Sequence, residues 1–199
     1  DFEDQPLLIN SHHGAYAIVT VGKIDNLDAL VQEALEQPGV HFSEMTGGEV
    51  NPTQLVAHLV DQQDTMEEGM ANALDRIQGS CSMMLLTRRG IYAARDRLGR
   101  TPVVIGRKEG AFSLTFETCA LPNLGYEPHR ELGPGEIVRV DTEGVEQLRP
   151  PGDRMQICAF LWVYYGYPAS SYEGENVEAV RYRCGERLAD RDDTEVDVV

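Results

Sequence analysis

Positive charge is scarce in this chain: 17 Lys and Arg stand against 33 Asp and Glu, for a formal charge of −16. Such a surface repels a phosphate backbone, and no basic run offsets it locally, so nucleic acid is excluded as a partner. Long apolar runs are missing too. No uncharged stretch reaches the roughly eighteen residues a membrane span needs, and the opening Asp1-Phe2-Glu3-Asp4 is acidic where a secretory leader is basic and then apolar. Cysteine is sparse: Cys81, Cys119, Cys158 and Cys184 lie far apart without CxxC spacing, which argues against a zinc knuckle or redox pair and for a reduced, cytoplasmic setting. Position 1 is not Met, and the expectation is a segment of something longer or a processed product. What the sequence does have is 199 residues with 42% hydrophobic and 25% charged side chains, enough for one globular core.

The first readable strand is Gly14 to Val21, ending at Gly22 and a polar turn, Lys23-Ile24-Asp25-Asn26. Leu27, Leu30, Val31, Ala34 and Leu35 then repeat with helical spacing behind an Asp25/Asn26 cap and stop at Pro38-Gly39. Asn51-Pro52 places a capping side chain before a proline at the first helical position, and Leu55, Val56, Leu59 and Val60 follow inward. Thr65 and Glu68 form a capping box before Met66, Met70, Ala73, Leu74 and Ile77, closed by Gly79.

From Ser82 the hydrophobic period becomes two. SMMLLT, IYAAR, PVVIGR and AFSLTF alternate with glycine-bearing turns, which predicts an antiparallel meander. A hairpin over 136–140 and 145–148 turns at Asp141-Thr142-Glu143-Gly144. Runs apolar on both sides, such as SMMLLT, call for central strands covered on both faces, with helices as outer layers. An α+β layered fold follows. Arg149-Pro150-Pro151-Gly152-Asp153 is the linker candidate, since two prolines and a glycine deny helix and ladder alike. Beyond it stand an aromatic cluster (Phe160, Trp162, Tyr164, Tyr165, Tyr167), a helix with Val177, Val180, Cys184 and Leu188 on one stripe, and Val196 to Val199, which reads as a strand cut short. One helix in forty-odd residues cannot bury a core alone, so this tail is expected to belong to a further domain.

Five stretches, in order, carry a family resemblance. Tyr92 to Pro102 (YAARDRLGRTP) resembles an ARDxxGxxP signature. Phe116 to Leu121 (FETCAL) is similar to an SET-C-AL segment, and Leu132 to Ile137 (LGPGEI) to a PGE turn. Gln5-Pro6, Asn10-Ser11 and Gly14 resemble an AQPF-x-x-NS-x-x-G entry, and Cys158 to Pro168 (CAFLWVYYGYP) a C-x-FEYVYFARP segment. Together they resemble the glutamine phosphoribosylpyrophosphate amidotransferases, class II glutamine amidotransferases of the N-terminal-nucleophile hydrolase fold. The resemblance implies a four-layer αββα sandwich, partial here, over residues 1–149. A linker at 150–156 and the start of a phosphoribosyltransferase domain at 157–199 would follow. The implied chemistry is hydrolysis of glutamine by an N-terminal cysteine and attack of the ammonia on phosphoribosylpyrophosphate, held with Mg2+, to give phosphoribosylamine for purine synthesis. Homo-oligomers are implied, with neither nucleic acid nor membrane as partner.

Against that pattern the glutamine site is altered. No residue is assigned as catalytic: the nucleophile must be a thiol beside a free α-amine, Asp1 has none, and none of the four internal cysteines has an adjacent α-amine. The family's HNGN turn, which supplies an asparagine side chain and a glycine N–H to the oxyanion, reads Thr20-Val21-Gly22-Lys23, and valine cannot donate. One such donor is worth about 3–4 kcal/mol. The SD-S/T-E motif, whose aspartate grips the glutamine ammonium, reads Gly47-Gly48-Glu49-Val50-Asn51-Pro52-Thr53, with the aspartate position at Asn51 or Gly48. Breaking a buried charge pair costs about 2–5 kcal/mol. The expectation is a degenerate glutaminase, a pseudoenzyme segment inactive by itself.

Plainer readings apply elsewhere. Asp96 is expected to bond its own turn. His12 and His13, as neighbours on a strand, point to opposite faces and share no metal. Cys158 matches a cluster ligand of iron-sulfur members, but a small buried thiol is the preferred reading, and Cys81, Cys119 and Cys184 read as packing residues. No cofactor is expected in this chain, and the aromatic run reads as a seam between domains. Two alternatives stay open: a non-catalytic regulatory or scaffold domain derived from a class II amidotransferase, and another class II enzyme of the glutamate synthase or asparagine synthetase type.

Overall fold

A computed structural model describes residues 5–43, 45–46 and 48–194. The N-terminal Asp1 to Asp4, Gly47 of the altered motif and the strand expected over 196–199 lie outside the described residues.

Strands β1 (Leu7–Ser11) and β2 (Gly14–Ile24) form a hairpin, followed by α1 (Leu27–Leu35), the short pair β3 (Met45–Thr46) and β4 (Glu49–Val50), α2 (Pro52–Val60) and α3 (Met66–Arg76). Then come β5 (Gly79–Thr87), β6 (Gly90–Ala94), β7 (Val104–Lys108), β8 (Ala111–Thr115), α4 (Ala120–Asn123), β9 (Glu127–Glu131), β10 (Ile137–Val140) and β11 (Val145–Arg149). After the proline segment follow a π-helical turn (Leu161–Tyr165), the hairpin β12 (Ser171–Tyr172) and β13 (Glu175–Asn176), and α5 (Val177–Ala189).

Two antiparallel sheets stack. The larger has strand order β1-β2-β5-β6-β10-β11, the smaller β8-β7-β9. Helices α1 to α3 cover one face of the large sheet, where Ile18, Met83 and Leu85 meet Leu55, Leu59 and Met70 in one buried cluster. Each such side chain contributes about 1.5–3 kcal/mol by leaving water. Gly69 is what lets α3 begin against the end of α2, since a Cβ there would lie 2.2 Å from the Val60 carbonyl oxygen. On the other face Ala93, Val138 and Val140 pack against Val103, Ile105 and Leu132 of the small-sheet layer. Leu121 of α4 is buried and sits so close to Gly106 of β7 that a Cβ on that glycine would lie 2.5 Å from a Leu121 methyl. The layer order α, β, β, α is that of the expected sandwich.

The sequence reading needs correction in four places. The run from Ser82 is not one meander: β6 pairs with β10, while β7 leaves for the second sheet. The loop between them, held by Asp96 and Thr101, makes the switch, and periodicity carries no record of which strand is the neighbour. Strand β2 continues through Gly22 and Lys23 to Ile24, because Cys81, Ser80 and Gly79 of β5 pair with those residues. Only part of the large sheet is covered on both faces. Leu8 is 84% and Leu86 57% exposed, so the β1-β2-β5 side has one open apolar face. Finally, β1 and β9 were not anticipated; β9 (EPHRE) lacks apolar alternation and pairs with β7 across an irregular register.

Candidate functional site

Position 20 of β2 is the pivot of the region where the sequence places the glutamine site. With Ile18 fully buried against the helices, alternation turns Thr20 to the same face. There its hydroxyl meets that of Thr53 at 2.7 Å. Thr53 is in the first turn of α2, whose start is fixed by Asn51: its Oδ1 accepts the Thr53 N–H at 2.8 Å, and Pro52 follows it. On the other side of the strand end, the Gln5 side-chain oxygen accepts the Thr20 N–H at 2.7 Å, extending the β1 edge by one bond. Gln5, Thr20, Thr53 and Asn51 thus form a continuous neutral chain of hydrogen bonds. Thr53 and Asn51 are buried, and none of the four carries charge. Gly48, the other position where the sequence reading expects the aspartate, lies in the exposed turn between β3 and β4 with φ +90.

Val21 takes the opposite face. It is half-buried and pairs with Ser82 of β5. Beside it Gly22 is exposed at φ +140, and a Cβ would fall 2.2 Å from the Ser80 carbonyl oxygen. Glycine is therefore required at position 22 by both backbone angle and the close approach of β5. The structure places Val21 and Gly22 at one strand end and Asn51 beneath it, joined through Thr20 and Thr53. The motifs contain Gln5, Thr20 and Thr53, but the sequence assigns none of them a role and does not show that they join.

A second polar cluster lies across the sheet from the first, on the face that Val21 and Ser82 share. The Ser82 hydroxyl contacts that of Thr101 at 2.8 Å and receives the Asp96 N–H at 3.0 Å. Asp96 accepts the Leu98 N–H on one oxygen, and the Thr101 N–H and hydroxyl on the other. It is the turn-forming aspartate expected from the sequence. Arg95 is fully buried and donates to the carbonyls of Thr101, Leu132 and Gly99. It also pairs with Glu173 at 2.7 Å. Next to it, buried Glu136 receives Arg130, the Gly133 N–H and Gln147. Burial alone would push its carboxyl up, but the hydrogen bonds from Arg130, Gln147 and Gly133 outweigh that and hold it below the ordinary value.

Other candidates fall differently from their sequence readings. Cys158 is exposed, not buried, and so is Cys184; Cys81 is buried as packing, and Cys119 is half-buried. Val177 is buried, Val180 half-buried, and Leu188 70% exposed, so only the first turn of the α5 stripe is covered among the described residues. Helical spacing marks an apolar face but not whether a partner lies on it. Phe160, Tyr164, Tyr165 and Tyr167 are exposed, while Leu161 and Tyr172 form a small buried cluster with Val177. His12 and His13 lie at the turn joining β1 to β2 rather than on a strand, with ring centroids 3.9 Å apart. Among the described residues no group of three or more His, Cys, Asp or Glu is arranged to hold a metal, and no helix is long and apolar enough to cross a membrane.

Comparison with known proteins bears on this geometry. Residues 1–123 match a family described as the glutamine amidotransferase domain. The amidophosphoribosyltransferase of Rattus norvegicus is 33% identical over 98% of this chain, and that of Methanocaldococcus jannaschii 32% identical over the same share. The chain spans 42% and 44% of those relatives. Among solved structures, the glutamine phosphoribosylpyrophosphate amidotransferase of B. subtilis complexed with ADP and GMP superposes with a TM-score of 0.86 at 28% identity, covering 97% of this chain and 42% of that one. The stacked antiparallel sheets and their helical layers are thus those of an N-terminal-nucleophile-type glutamine domain, and the chain belongs to the glutamine amidotransferase domain family.

Proposed function

We propose that this chain is the amidotransferase-derived part of an amidophosphoribosyltransferase-like protein whose glutaminase activity is lost or strongly weakened. The observation that carries this reading is the neutral chain Gln5, Thr20, Thr53, Asn51, with Val21 beside it. A glutamine ammonium needs a carboxylate; here the aligned Asn51 is an amide already accepting the first backbone N–H of α2. An oxyanion needs a second donor beside a backbone N–H, and a valine side chain has none. Losses of about 3–4 kcal/mol and about 2–5 kcal/mol do not add simply, but either one lowers turnover by a factor of about thirty or more.

In this reading the linker is 150–156 and residues 157–199 open a phosphoribosyltransferase domain. The segment is well seated: Gly152 N–H reaches the Pro134 carbonyl, and Gln156 N–H that of Leu98. The uncovered stripe of α5 and the exposed aromatics would pack within that domain. Glutamine, phosphoribosylpyrophosphate with Mg2+, purine synthesis, a cytoplasmic setting and homo-oligomers all belong to the reading of the whole protein. Cys158 is a free, exposed thiol, and an iron-sulfur cluster is not part of this reading.

The test is a paired assay of the full-length protein, glutamate release from glutamine against phosphoribosylamine formation from ammonium. Ammonium is expected to support product while glutamine turnover stays at least about a hundredfold lower than in the relatives. Glutamine turnover equal to theirs would overturn the reading. A regulatory or scaffold role is the second reading, favoured by the same self-satisfied network, and absence of product from both nitrogen sources would select it.

A further inference from the structure

The tip of the β12–β13 hairpin, Glu173-Gly174, is lodged between β9 and the turn that follows β6. Both tip residues have positive φ, 50 for Glu173 and 79 for Gly174. Glycine adopts that backbone freely, and glutamate does so against its preference. The side chain has a reason to be there: its carboxylate pairs at 2.7 Å with Arg95, whose side chain has no solvent exposure. Its own N–H points to a second carboxylate, donating to both oxygens of Glu131 at 3.0 and 3.2 Å.

We propose that this tip is a proton-operated latch, in which Glu131 and Glu173 share the single buried guanidinium of Arg95 and docking of the hairpin weakens as Glu131 ionises. The charge count carries it. One guanidinium compensates one carboxylate, and the other groups facing the site are committed elsewhere. Arg130 of β9 is bonded to Glu136. Glu175 of β13 is paired with Arg183 of α5, and Glu117 is hydrogen-bonded to Ser170 beside the buried Tyr172. His129 lines the cleft beside Glu131, together with Thr118, Ser171 and Gly174. Burial first, and then the nearby Glu173 charge, leave the Glu131 carboxyl above its ordinary value of 4.5, against the opposing pull of the Glu173 N–H and Arg95. A raised acid means that the docked hairpin binds the proton more tightly than the undocked one. Docking is therefore firmest at low pH, weakens as pH rises from the ordinary carboxylate value, and levels off above the raised one.

Hydrogen exchange of peptides covering 168–178 in the intact protein, corrected for intrinsic rates, reads the latch between pH 5 and 8. Opening in the unmodified protein is expected to rise roughly three- to tenfold across that range. Glu131→Gln keeps an oxygen for the Glu173 N–H and removes the surplus charge, so its opening should be flat and as low at pH 8 as that of the parent at pH 5. Glu173→Gln should expose the hairpin at every pH while peptides over 14–24 stay protected, since Arg95 retains its three carbonyls. A parent protein with no pH dependence, or a Glu131→Gln variant that keeps the parent's slope, would overturn the proposal; the parent series alone decides if the variants fail to fold.

Discussion

Two polar clusters lie on opposite faces of the β2–β5 pair, one neutral and one charged, and they answer to different constraints. The Gln5, Thr20, Thr53, Asn51 chain is linear, running from each residue to the next. The Arg95, Asp96, Glu136 cluster is branched: Arg95 reaches three carbonyls and a carboxylate, and Asp96 receives two backbone N–H groups and a hydroxyl. A branched buried network fixes the turn joining two sheets, whereas a linear one fixes a single helix start. The charged cluster is thus the frame of the fold, and the neutral one anchors the start of α2.

That contrast can be broken most strongly at Asp96. Asp96→Ala orphans the N–H groups of Leu98 and Thr101 at once and is expected to cost about 3 kcal/mol or more, measurable by urea unfolding; a loss under about 1 kcal/mol would show that the turn holds without it. Glu136→Gln should come next, at about 1.5–3 kcal/mol at pH 7, with a distinctive pH signature. Because the folded carboxyl lies below its ordinary 4.5, its stabilisation is present above that value and is lost as pH falls through the folded one. The variant should show a shallower acid limb in stability against pH, and an unchanged limb would separate Glu136 from the frame. The smallest effect is expected in the neutral cluster. Asn51→Ala removes one cap, for about 1 kcal/mol, whereas Asn51→Ser, which still caps and adds no buried charge, should cost less by thermal unfolding. A cost at Asn51→Ala matching that of Asp96→Ala would erase the distinction between the clusters.

Local chemistry was legible in the residues themselves. Asn51-Pro52 and Thr65 with Glu68 announced two helix starts, and both cap as read. Asp96 before Gly99 announced its turn. At Asn26 the reading fell short: the side chain bonds Arg76 and Gln78 across the fold instead of capping α1, because a distant backbone competed for it. Likewise Val177, Cys184 and Leu188 share one helical stripe, yet only Val177 is buried. Val21 and Asn51 could be named from the sequence, but their joining through Thr20 and Thr53 could not.

By itself the sequence determined where helices start, which turns need glycine or aspartate, and that Val21, Gly22 and Asn51 carry no charge. All of these depend on residue type within a few positions along the chain. Only the tertiary structure decided that β6 turns to β10 while β7 leaves for a second sheet, and that Glu173 reaches back to Arg95. Such pairings are chosen by whole-sheet packing and by charge compensation between distant segments, which no local period encodes.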